Sequence, residues 1–334
     1  MVELQTKYLG LQLRNPLVAS ASPLSKKADT VRQLEDAGIS AVVMYSLFEE
    51  QIQKEARALD FYLTQGSESY AEALSYFPDL DTYNVGPDDY LNLIRELKSS
   101  VDIPIIGSLN GISEGGWIDY AKMIAQAGAD ALELNIYYLP TDTEVTSEQL
   151  ENSYIELVKK VRSSIRIPLA IKLSPYFTAL PNFAKRLVEA GADGLVLFNR
   201  FYQPDLDIEE MVVKPDLNFS NSSHLRLPLR WTAILFDRIK ADFAISGGIH
   251  SATDLVKASM AGANIGMVAA ALIERGPQYA ATILQQYERW LSEHDYESVE
   301  SIIGIMSQKS VVHPAAFERA NYMKILQSLD DSIL

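Results

Sequence analysis

A sequence motif, here called the Ala-Gly motif, recurs four times along the chain. It consists of a helix-like segment, the dipeptide Ala-Gly and a hydrophobic run. Each glycine stands where a helix would end, at the position that favours a left-handed backbone. The runs that follow are almost continuously apolar, which predicts strands buried on both faces. These four runs are Ile39–Ser46, Ala131–Ile136, Gly194–Asn199 and Asn264–Leu272.

A second set of hydrophobic runs lies between these units, and two of them follow the dipeptide Ile-Pro. Proline can begin such a strand because its missing N–H is not needed there. Together the two sets predict eight strands, with helical patterns between them. The second set is Asn15–Ser22, Ile105–Asn110, Leu169–Ser174 and Phe243–Gly248.

Eight strands that alternate with helices fit either a closed (βα)₈ barrel or an open, doubly wound sheet. The open dinucleotide-binding sheet carries a glycine-rich turn after its first strand. Here that position reads Ser20-Ala21-Ser22-Pro23. We therefore predict an α/β protein with a (βα)₈ TIM barrel, forming a single domain over residues 1–334.

The chain has 334 residues, and a barrel of this type needs about 250. The pattern assigns the rest to an N-terminal hairpin around Gly10, two insertions and a helical C-terminal extension over residues 292–334. The hairpin is expected to plug one end of the barrel. The insertions, residues 47–98 and 200–227, follow strand ends and are expected to overhang the C-terminal face.

Charge and composition narrow the classes of function. The chain has 29 Lys and Arg against 44 Asp and Glu, a net charge of −15, which disfavours nucleic acid and membrane surfaces as partners. No apolar run approaches the roughly 20 residues of a membrane span, and no signal peptide is visible, so a cytoplasmic protein is predicted. The chain contains no cysteine, which excludes disulfides, thiolate metal sites and a cysteine base. Its four histidines show no metal-binding spacing.

Functional groups of a TIM barrel lie where its strands end. Gly247-Gly248 and Ala269-Ala270 stand at the ends of strands seven and eight, where this fold usually binds phosphate. Lys172 stands within a buried strand. Its side chain either extends out of the barrel mouth into solvent or provides a fixed cation for an anionic ring, carboxylate or oxyanion. These features predict a phosphorylated cofactor across the barrel mouth.

Several short motifs, in this order and spacing, resemble the dihydroorotate dehydrogenase family of FMN-dependent barrels, especially its class 1 branch. The resemblance covers roughly residues 3–290. Its markers are Asn15-Pro16, Ser20-Ala21, Glu133-Leu134-Asn135, Lys172-Leu173-Ser174-Pro175, Asn199 and Ser246-Gly247-Gly248-Ile249 with Asp254 and Ala261-Gly262-Ala263.

The resemblance implies FMN as the cofactor and assigns residues to it. Ser20 and Ala21 would contact the flavin through backbone groups, and Lys172 would lie at its electron-rich edge. Asn135 and Asn199 would contact flavin or substrate. The phosphate would be held by Gly247, Gly248, Ala269 and Ala270, although the family usually has Gly-Thr in place of the last pair.

The substrate side departs further from the family. The family has a lysine followed by serine or threonine after strand two, whereas this chain has Tyr45-Ser46. The family's Asn-rich loop is replaced over residues 77–84. Tyr138 stands where class 1 enzymes carry the catalytic cysteine, and it is either a proton donor or a packing residue. Tyr137 and Tyr45 are the other candidate proton donors. Arg200 either meets an anionic substrate group or pairs with Asp205 or Asp207.

The predicted function is therefore an FMN-dependent oxidoreductase of CH–CH bonds, nominally converting dihydroorotate to orotate in pyrimidine biosynthesis. Its small-molecule substrate is left open, because the substrate side is rewritten. Candidate catalytic residues are Tyr138, Lys172 and Asn135, and candidate substrate contacts are Tyr45, Asn135, Asn199 and Arg200.

Two other functions remain as alternatives. One is a non-catalytic flavin-binding partner of an electron-transfer complex, and the other is a phosphosugar lyase or isomerase on the same barrel. The family resemblance also implies a homodimer. A separate protein would accept or donate electrons, because an iron–sulfur relay would need cysteines that this sequence lacks.

Overall fold

The computed structural model describes residues 2–48, 87–110, 114–200, 203–214 and 218–318, together with Tyr322, Met323 and Leu326. Most of the predicted insertion over residues 47–98 lies outside the described residues. The same holds for residues 77–84, where the sequence predicts that the family's Asn-rich loop is replaced.

Eight parallel strands close into a barrel, as the hydrophobic runs predict. The order around the barrel is β3, β4, β6, β7, β8, β9, β12 and β13, which pairs again with β3. A short strand, β5 (Leu47–Phe48), adds to the end of β6. The barrel strands are β3 (Leu17–Ala19), β4 (Val42–Val43), β6 (Ile105–Asn110), β7 (Ala131–Asn135), β8 (Leu169–Leu173), β9 (Gly194–Leu197), β12 (Asp242–Ser246) and β13 (Ile265–Val268).

Helices separate these strands and surround the barrel. They are α1 (Ala28–Asp36), α2 (Pro87–Ser100), α3 (Glu114–Gln126), α4 (Ser147–Ser164), α5 (Leu180–Glu189), α6 (Arg226–Leu235), α7 (Ala252–Ala261), α8 (Ala270–Arg275) and α9 (Tyr279–Glu293). Short 3₁₀ helices occur at Pro23–Lys26, Ser222–Leu225, Glu300–Ile302 and Pro314–Phe317. None of the described helices is both long enough and apolar enough to cross a lipid bilayer.

The Ala-Gly motif ends a helix and is followed by a residue that joins two neighbouring strands. Its glycines have φ between +100° and +115°, the left-handed conformation that ends each helix. In three of the four motifs, the residue two positions after the glycine has a side-chain oxygen that accepts a hydrogen bond from the first or second amide of the neighbouring strand. These pairs are Asp130 with Ile105 N, Asp193 with Leu169 N and Asn264 with Phe243 N, at 2.7 to 2.8 Å.

Two antiparallel hairpins lie outside the barrel sheet. The first joins β1 (Thr6–Tyr8) and β2 (Leu11–Leu13) and closes the N-terminal end of the barrel. Its Tyr8, Leu9 and Leu13 are buried among the inward-facing side chains of the lower barrel, which are Val18, Ala41, Val43, Ile106, Ala131, Ala170, Val196, Ala244, Ile265 and Met267. The second joins β10 (Asp205–Asp207) and β11 (Val212–Lys214) within the insertion after β9.

Polar and steric contacts hold the first hairpin in place. The Leu9 amide donates to Asp242 Oδ2 at 2.6 Å. The inward-facing position 194 is glycine because a Cβ there would lie 2.6 Å from Leu9 Cδ2. The hairpin therefore forms the floor of the barrel, as predicted.

Over residues 295–318, the C-terminal extension is helical only in short turns. Between residues 295 and 318 the described chain forms two 3₁₀ helices and no α-helix. Glu3 and Ser298 form a parallel bridge, which fixes the extension to the N-terminal segment. The left-handed Gly304 (φ +77°) interrupts any continuous helix here.

Candidate active site

A polar layer of inward-facing side chains lies directly above the apolar interior of the barrel. Side chains of a strand alternate between its two faces, so the residue two positions after an inward apolar residue also points inward. Five strands place a polar residue there: Ser20, Ser108, Glu133, Lys172 and Ser246, which follow Val18, Ile106, Ala131, Ala170 and Ala244. This layer faces the C-terminal mouth, where TIM barrels carry their active sites.

The centre of this layer is a buried ion pair. Lys172 Nζ donates to Glu133 Oε1 at 3.3 Å, and the side chains of Lys172 and Glu133 are 7% and 1% exposed. The lysine therefore does not reach out to solvent, which excludes one of its two interpretations. An unpaired buried charge is strongly destabilising, so each partner compensates the buried charge of the other.

Two asparagines from different strands meet above the ion pair. Asn199 Nδ2 donates to Asn135 Oδ1 at 2.9 Å. Asn135 is the last residue of β7, and Asn199 lies two residues beyond the end of β9. The structure thus brings together the two predicted amide contacts, which form one hydrogen-bonded unit.

Ser20 and Ala21 follow β3 at the rim of the barrel. Ser20 Oγ lies 3.3 Å from Ser246 Oγ, and the Ser20 amide donates to the carbonyl of Val268 at 2.9 Å. That amide is therefore occupied by the barrel sheet. Backbone contacts from this segment to a ligand would come from the Ser20 carbonyl and from Ala21.

The two glycines after β12 both have φ +88° but differ in their surroundings. A Cβ on Gly248 would lie 2.5 Å from the backbone nitrogen of Leu225, so this glycine allows two backbone segments to pack closely. Among the described residues, no atom would lie within 4 Å of a Cβ on Gly247, so this part of the structure leaves its backbone unobstructed. Of the two glycines, Gly247 is therefore the better candidate for a ligand contact.

The segment after the two glycines opens helix α7. Asp254 Oδ2 accepts from the His250 amide at 3.0 Å, from Ser251 Oγ at 2.9 Å and from Ser222 Oγ at 2.8 Å. Ser251 Oγ in turn accepts from the Asp254 amide at 3.3 Å and caps the helix. These bonds hold the helix N-terminus, with its free N–H groups, beside the glycine turn.

Ala269-Ala270 lie directly after strand eight, just as Gly247-Gly248 lie directly after strand seven. Strand β13 ends at Val268, Ala269 caps helix α8 and Ala270 is the first residue of that helix. The backbone of Ala269 (φ −136°, ψ −62°) leaves the extended conformation, which ends the strand one residue before the pair.

Tyr45 lies half-buried beside the rim and packs against a second tyrosine. Its ring stands edge-on to Tyr90, with the centroids 4.9 Å apart, and its amide donates to Ser25 Oγ at 2.7 Å. The Tyr90 hydroxyl bonds both the amide and the carbonyl of Ser108. This arrangement supports a packing role for Tyr45.

Tyr138 lies in the loop after β7 and is 49% exposed. It lines a hollow of about 260 Å³ between its own loop, the start of α4 and the loop after β8. The aromatic residues of this hollow are Tyr138, Tyr154, Tyr176 and Phe177. Burial, and then the proximity of Tyr138, raises the pKa of the Tyr154 hydroxyl. Neither Lys172 nor Asn135 lines the hollow.

Arg200 follows Asn199 and is exposed. Within the described residues it makes no ion pair with Asp205 or Asp207; the Asp205 and Asp207 carboxylates accept backbone amides of their own hairpin instead. The pairing alternative for Arg200 is therefore not observed. No group of His, Asp and Glu side chains able to hold a metal ion occurs in the described part of the chain.

From the sequence alone, Glu133 is assigned no functional role and serves only as part of the marker Glu133-Leu134-Asn135. Side chains of a strand alternate between its two faces, and Ala131 points into the barrel. The residue two positions later, Glu133, is therefore expected to point into the same interior as Lys172. Tyr8 was also missed, because an alternating hairpin gives no sign that one of its side chains enters the barrel.

Comparisons with known proteins agree with this geometry. The family model described as dihydroorotate dehydrogenase matches residues 3–291. The chain belongs to the dihydroorotate dehydrogenase family. Enzymes of this family are FMN-binding flavoproteins.

Individual relatives are distant but cover almost the whole chain. A protein of Aeropyrum pernix, described provisionally as dihydroorotate dehydrogenase A (fumarate), is 26% identical over 310 residues, 90% of this chain and 97% of its own length. The catalytic subunit of dihydroorotate dehydrogenase B (NAD(+)) from Thermoplasma acidophilum is 25% identical over 311 residues, 91% of this chain and 99% of that protein. The corresponding subunit from Methanocaldococcus jannaschii is 24% identical over 313 residues.

The residues at the barrel mouth fit FMN. The backbone of Gly247, unobstructed by the described residues, and the start of α7 suit a phosphate, and the buried Lys172 provides a cation for an electron-rich ring. The loss of the family's threonine at Ala270 removes a hydroxyl but leaves the backbone amides at the start of α8.

Proposed function

We propose that the protein is an FMN-dependent oxidoreductase that acts on a CH–CH bond of a small cyclic substrate. The observation that supports this most directly is the buried Lys172–Glu133 pair in the polar layer of a dihydroorotate dehydrogenase barrel. Dihydroorotate is the reference substrate. The rewritten substrate side supports a different natural substrate.

Each part of the site has a proposed task. Bound FMN would supply the hydride chemistry. The Gly247 turn and the start of α7 would hold its phosphate, and the Lys172 ammonium would lie beside its ring. The Asn135–Asn199 pair would orient the ring or the substrate, because each amide fixes the other.

FMN binding and electron donors are tested on the purified protein. We expect yellow protein that retains FMN after gel filtration, with flavin absorbance bleached anaerobically by its reducing substrate. Dihydroorotate, NADH, NADPH and reduced ferredoxin form the first panel. Protein that remains colourless with excess FMN would refute the proposal, whereas bound FMN that no donor reduces would favour the non-catalytic alternative.

Tyr138 is our proposed proton-transfer residue, because a phenol is the ionisable group at the position where class 1 enzymes have cysteine. General acid–base groups contribute about 10²- to 10⁴-fold to rate, so Tyr138→Phe should lower kcat by at least about 10²-fold without releasing FMN. Tyr176→Phe is the matched control, since Tyr176 lines the same hollow. Equal, small effects of both variants would leave Tyr138 as a packing residue.

We further propose a homodimer that forms through the β10–β11 hairpin. Its side chains Leu206, Ile208, Met211, Val212 and Val213 are all exposed, up to 81% for Ile208 and 89% for Met211. Exposed apolar side chains concentrated on one hairpin are typical of protein interfaces. Sedimentation should show a dimer that Ile208→Glu dissociates; a monomeric wild-type protein would contradict this.

A separate electron-carrying protein is also part of the proposal. Two of the relatives described above are named as catalytic subunits, and this sequence has no cysteine with which to hold an iron–sulfur cluster. Reduction of the bound flavin by ferredoxin but not by NADH would identify that class of partner.

A further inference from the structure

The ion pair at the centre of the barrel differs from the surface ion pairs of this protein. Lys172 and Glu133 are carried by adjacent strands, β8 and β7, and both are almost fully buried. By contrast, Lys159 and Glu156 pair on the exposed face of α4. A surface pair contributes little, whereas a buried lysine without a partner carboxylate tends to lose its proton.

The hydrogen bonds of this pair leave part of the lysine available. An ammonium has three donors, and within the described residues Lys172 donates only to Glu133 Oε1. Below it, the barrel is closed by the apolar layer and by Tyr8. The remaining donors of Lys172 can therefore serve a ligand only from the mouth side.

Tyr8, on the floor of the barrel, is a titratable neighbour of this ion pair. Glu133 Oε2 and the Tyr8 hydroxyl are buried and bond no described residue. Burial raises the pKa of the Tyr8 phenol, and the nearby charges of Glu133 and Asp242 raise it further. Tyr8 thus remains neutral, and Glu133 is the only carboxylate of the described chain that pairs with Lys172.

We propose that Glu133 is a positioning residue that keeps the Lys172 ammonium protonated and held at the barrel mouth, and thereby sets the redox potential of the bound flavin. This inference rests on the proposed function, because it concerns FMN bound at that mouth. A fixed cation beside the ring stabilises the electron-rich reduced form. Without Glu133 the buried lysine would lose its proton, and the cation would disappear.

The test compares the FMN midpoint potentials of Glu133→Gln, Lys172→Met and the double variant over a range of pH. At neutral pH, Glu133→Gln should lower the preference for reduced over oxidised FMN at least tenfold relative to wild type, about 30 mV for a two-electron couple. That difference should vanish at lower pH, where Lys172 regains its proton. In Lys172→Met the difference should persist at every pH, and the double variant should match it.

Controls separate this role from a merely structural one. Glu133→Asp retains the charge and should restore most of the potential, while Glu156→Gln on the surface should change nothing. An unchanged or raised potential in Glu133→Gln, or a pH-independent difference, would overturn the proposal. If Glu133→Gln does not fold, the double variant, which removes both charges together, is compared with Lys172→Met; any further shift would also overturn it.

A second measurement does not depend on FMN. In protein labelled with ¹³C at the lysine ε carbons, the Lys172 resonance, assigned from its absence in Lys172→Met, reports its ionisation in the apoprotein. We expect Lys172 to titrate at lower pH in Glu133→Gln than in wild type, and an unchanged titration would refute the inference. Failure of wild-type protein to bind FMN would instead refute the proposed function.

Discussion

Alanine substitutions at Gly247 and Gly248 should have different consequences although the two residues share one backbone conformation. Both have φ +88°, so a side chain at either costs about 1–2 kcal/mol of stability. At Gly248 the new Cβ would also lie 2.5, 2.8 and 2.9 Å from three atoms of Leu225, two of them backbone. Overpacking of this kind costs about 1–3 kcal/mol more. The expected total is about 2–5 kcal/mol for Gly248→Ala, against about 1–2 kcal/mol for Gly247→Ala.

Gly247→Ala, the less destabilising of the two substitutions, should be the one that weakens FMN binding more. The Cβ of Gly247→Ala would occupy the space that we assign to the phosphate, so this variant should bind FMN at least tenfold more weakly while remaining folded. Gly10→Ala is the matched control, since Gly10 has φ +75° and lies in the hairpin at the far end of the barrel, and no atom of the described residues would lie within 4 Å of its new Cβ. It should share the backbone cost and leave FMN affinity unchanged.

Urea denaturation of the apoproteins and fluorescence titration with FMN measure the two quantities separately. If Gly248→Ala were no less stable than Gly247→Ala, the steric reasoning from Leu225 would be wrong. If Gly247→Ala bound FMN within twofold of wild type, the phosphate would have to lie elsewhere.

Three further predictions concern the supports of the site. Gly194→Ala should destabilise the fold by about 1–3 kcal/mol because it displaces Leu9, and in urea denaturation the double variant with Leu9→Ala should lose less than the two single losses added together. Asp254→Ala should lower the free energy of unfolding by at least about 2 kcal/mol, since three donors lose a buried acceptor, and it should also weaken FMN binding in titrations. Burial, opposed by the bond from the Leu9 amide, raises the pKa of Asp242 above its ordinary 3.8, so the folded state holds a proton that the unfolded chain has already released. Stability from this group should therefore fall as the pH rises above 3.8, and denaturation at a series of pH values should show a flatter profile for Asp242→Asn; an equally steep profile would refute this assignment.

The hydrophobic pattern predicted the barrel correctly but overestimated the length of its strands. Residues 39–46 form one apolar run, yet only Val42 and Val43 form a strand; Met44, next in the run, is fully buried without belonging to one. The run over residues 264–272 similarly continues through Ala270 and Leu272, which are buried in a helix. An apolar run reports burial, whereas strand ends depend on backbone pairing that the run does not encode.

The candidate site likewise contains residues that the sequence predicts and contacts that it does not predict. Lys172 could be predicted because a charge inside an apolar run is conspicuous, and the same argument applied to Glu133. Their pairing required the register of β7 against β8, which sets Asn135 beside Lys172 and places Glu133 one inward position lower. The occupied amide of Ser20 and the orientation of Tyr138 toward α4 depend on three-dimensional packing, and no local pattern predicts them.

The two halves of the site consequently depend on different parts of the fold. Lys172, Glu133 and Asn135 lie on strands, where the two-residue alternation and the parallel register fix their direction. Tyr138 and Arg200 lie in loops beyond strand ends, where no sheet register constrains the side chains. Replacing loop residues can therefore change what the mouth binds without moving the cation beneath it. This separation would allow the loops of such a barrel to diverge while the polar layer beneath them is retained.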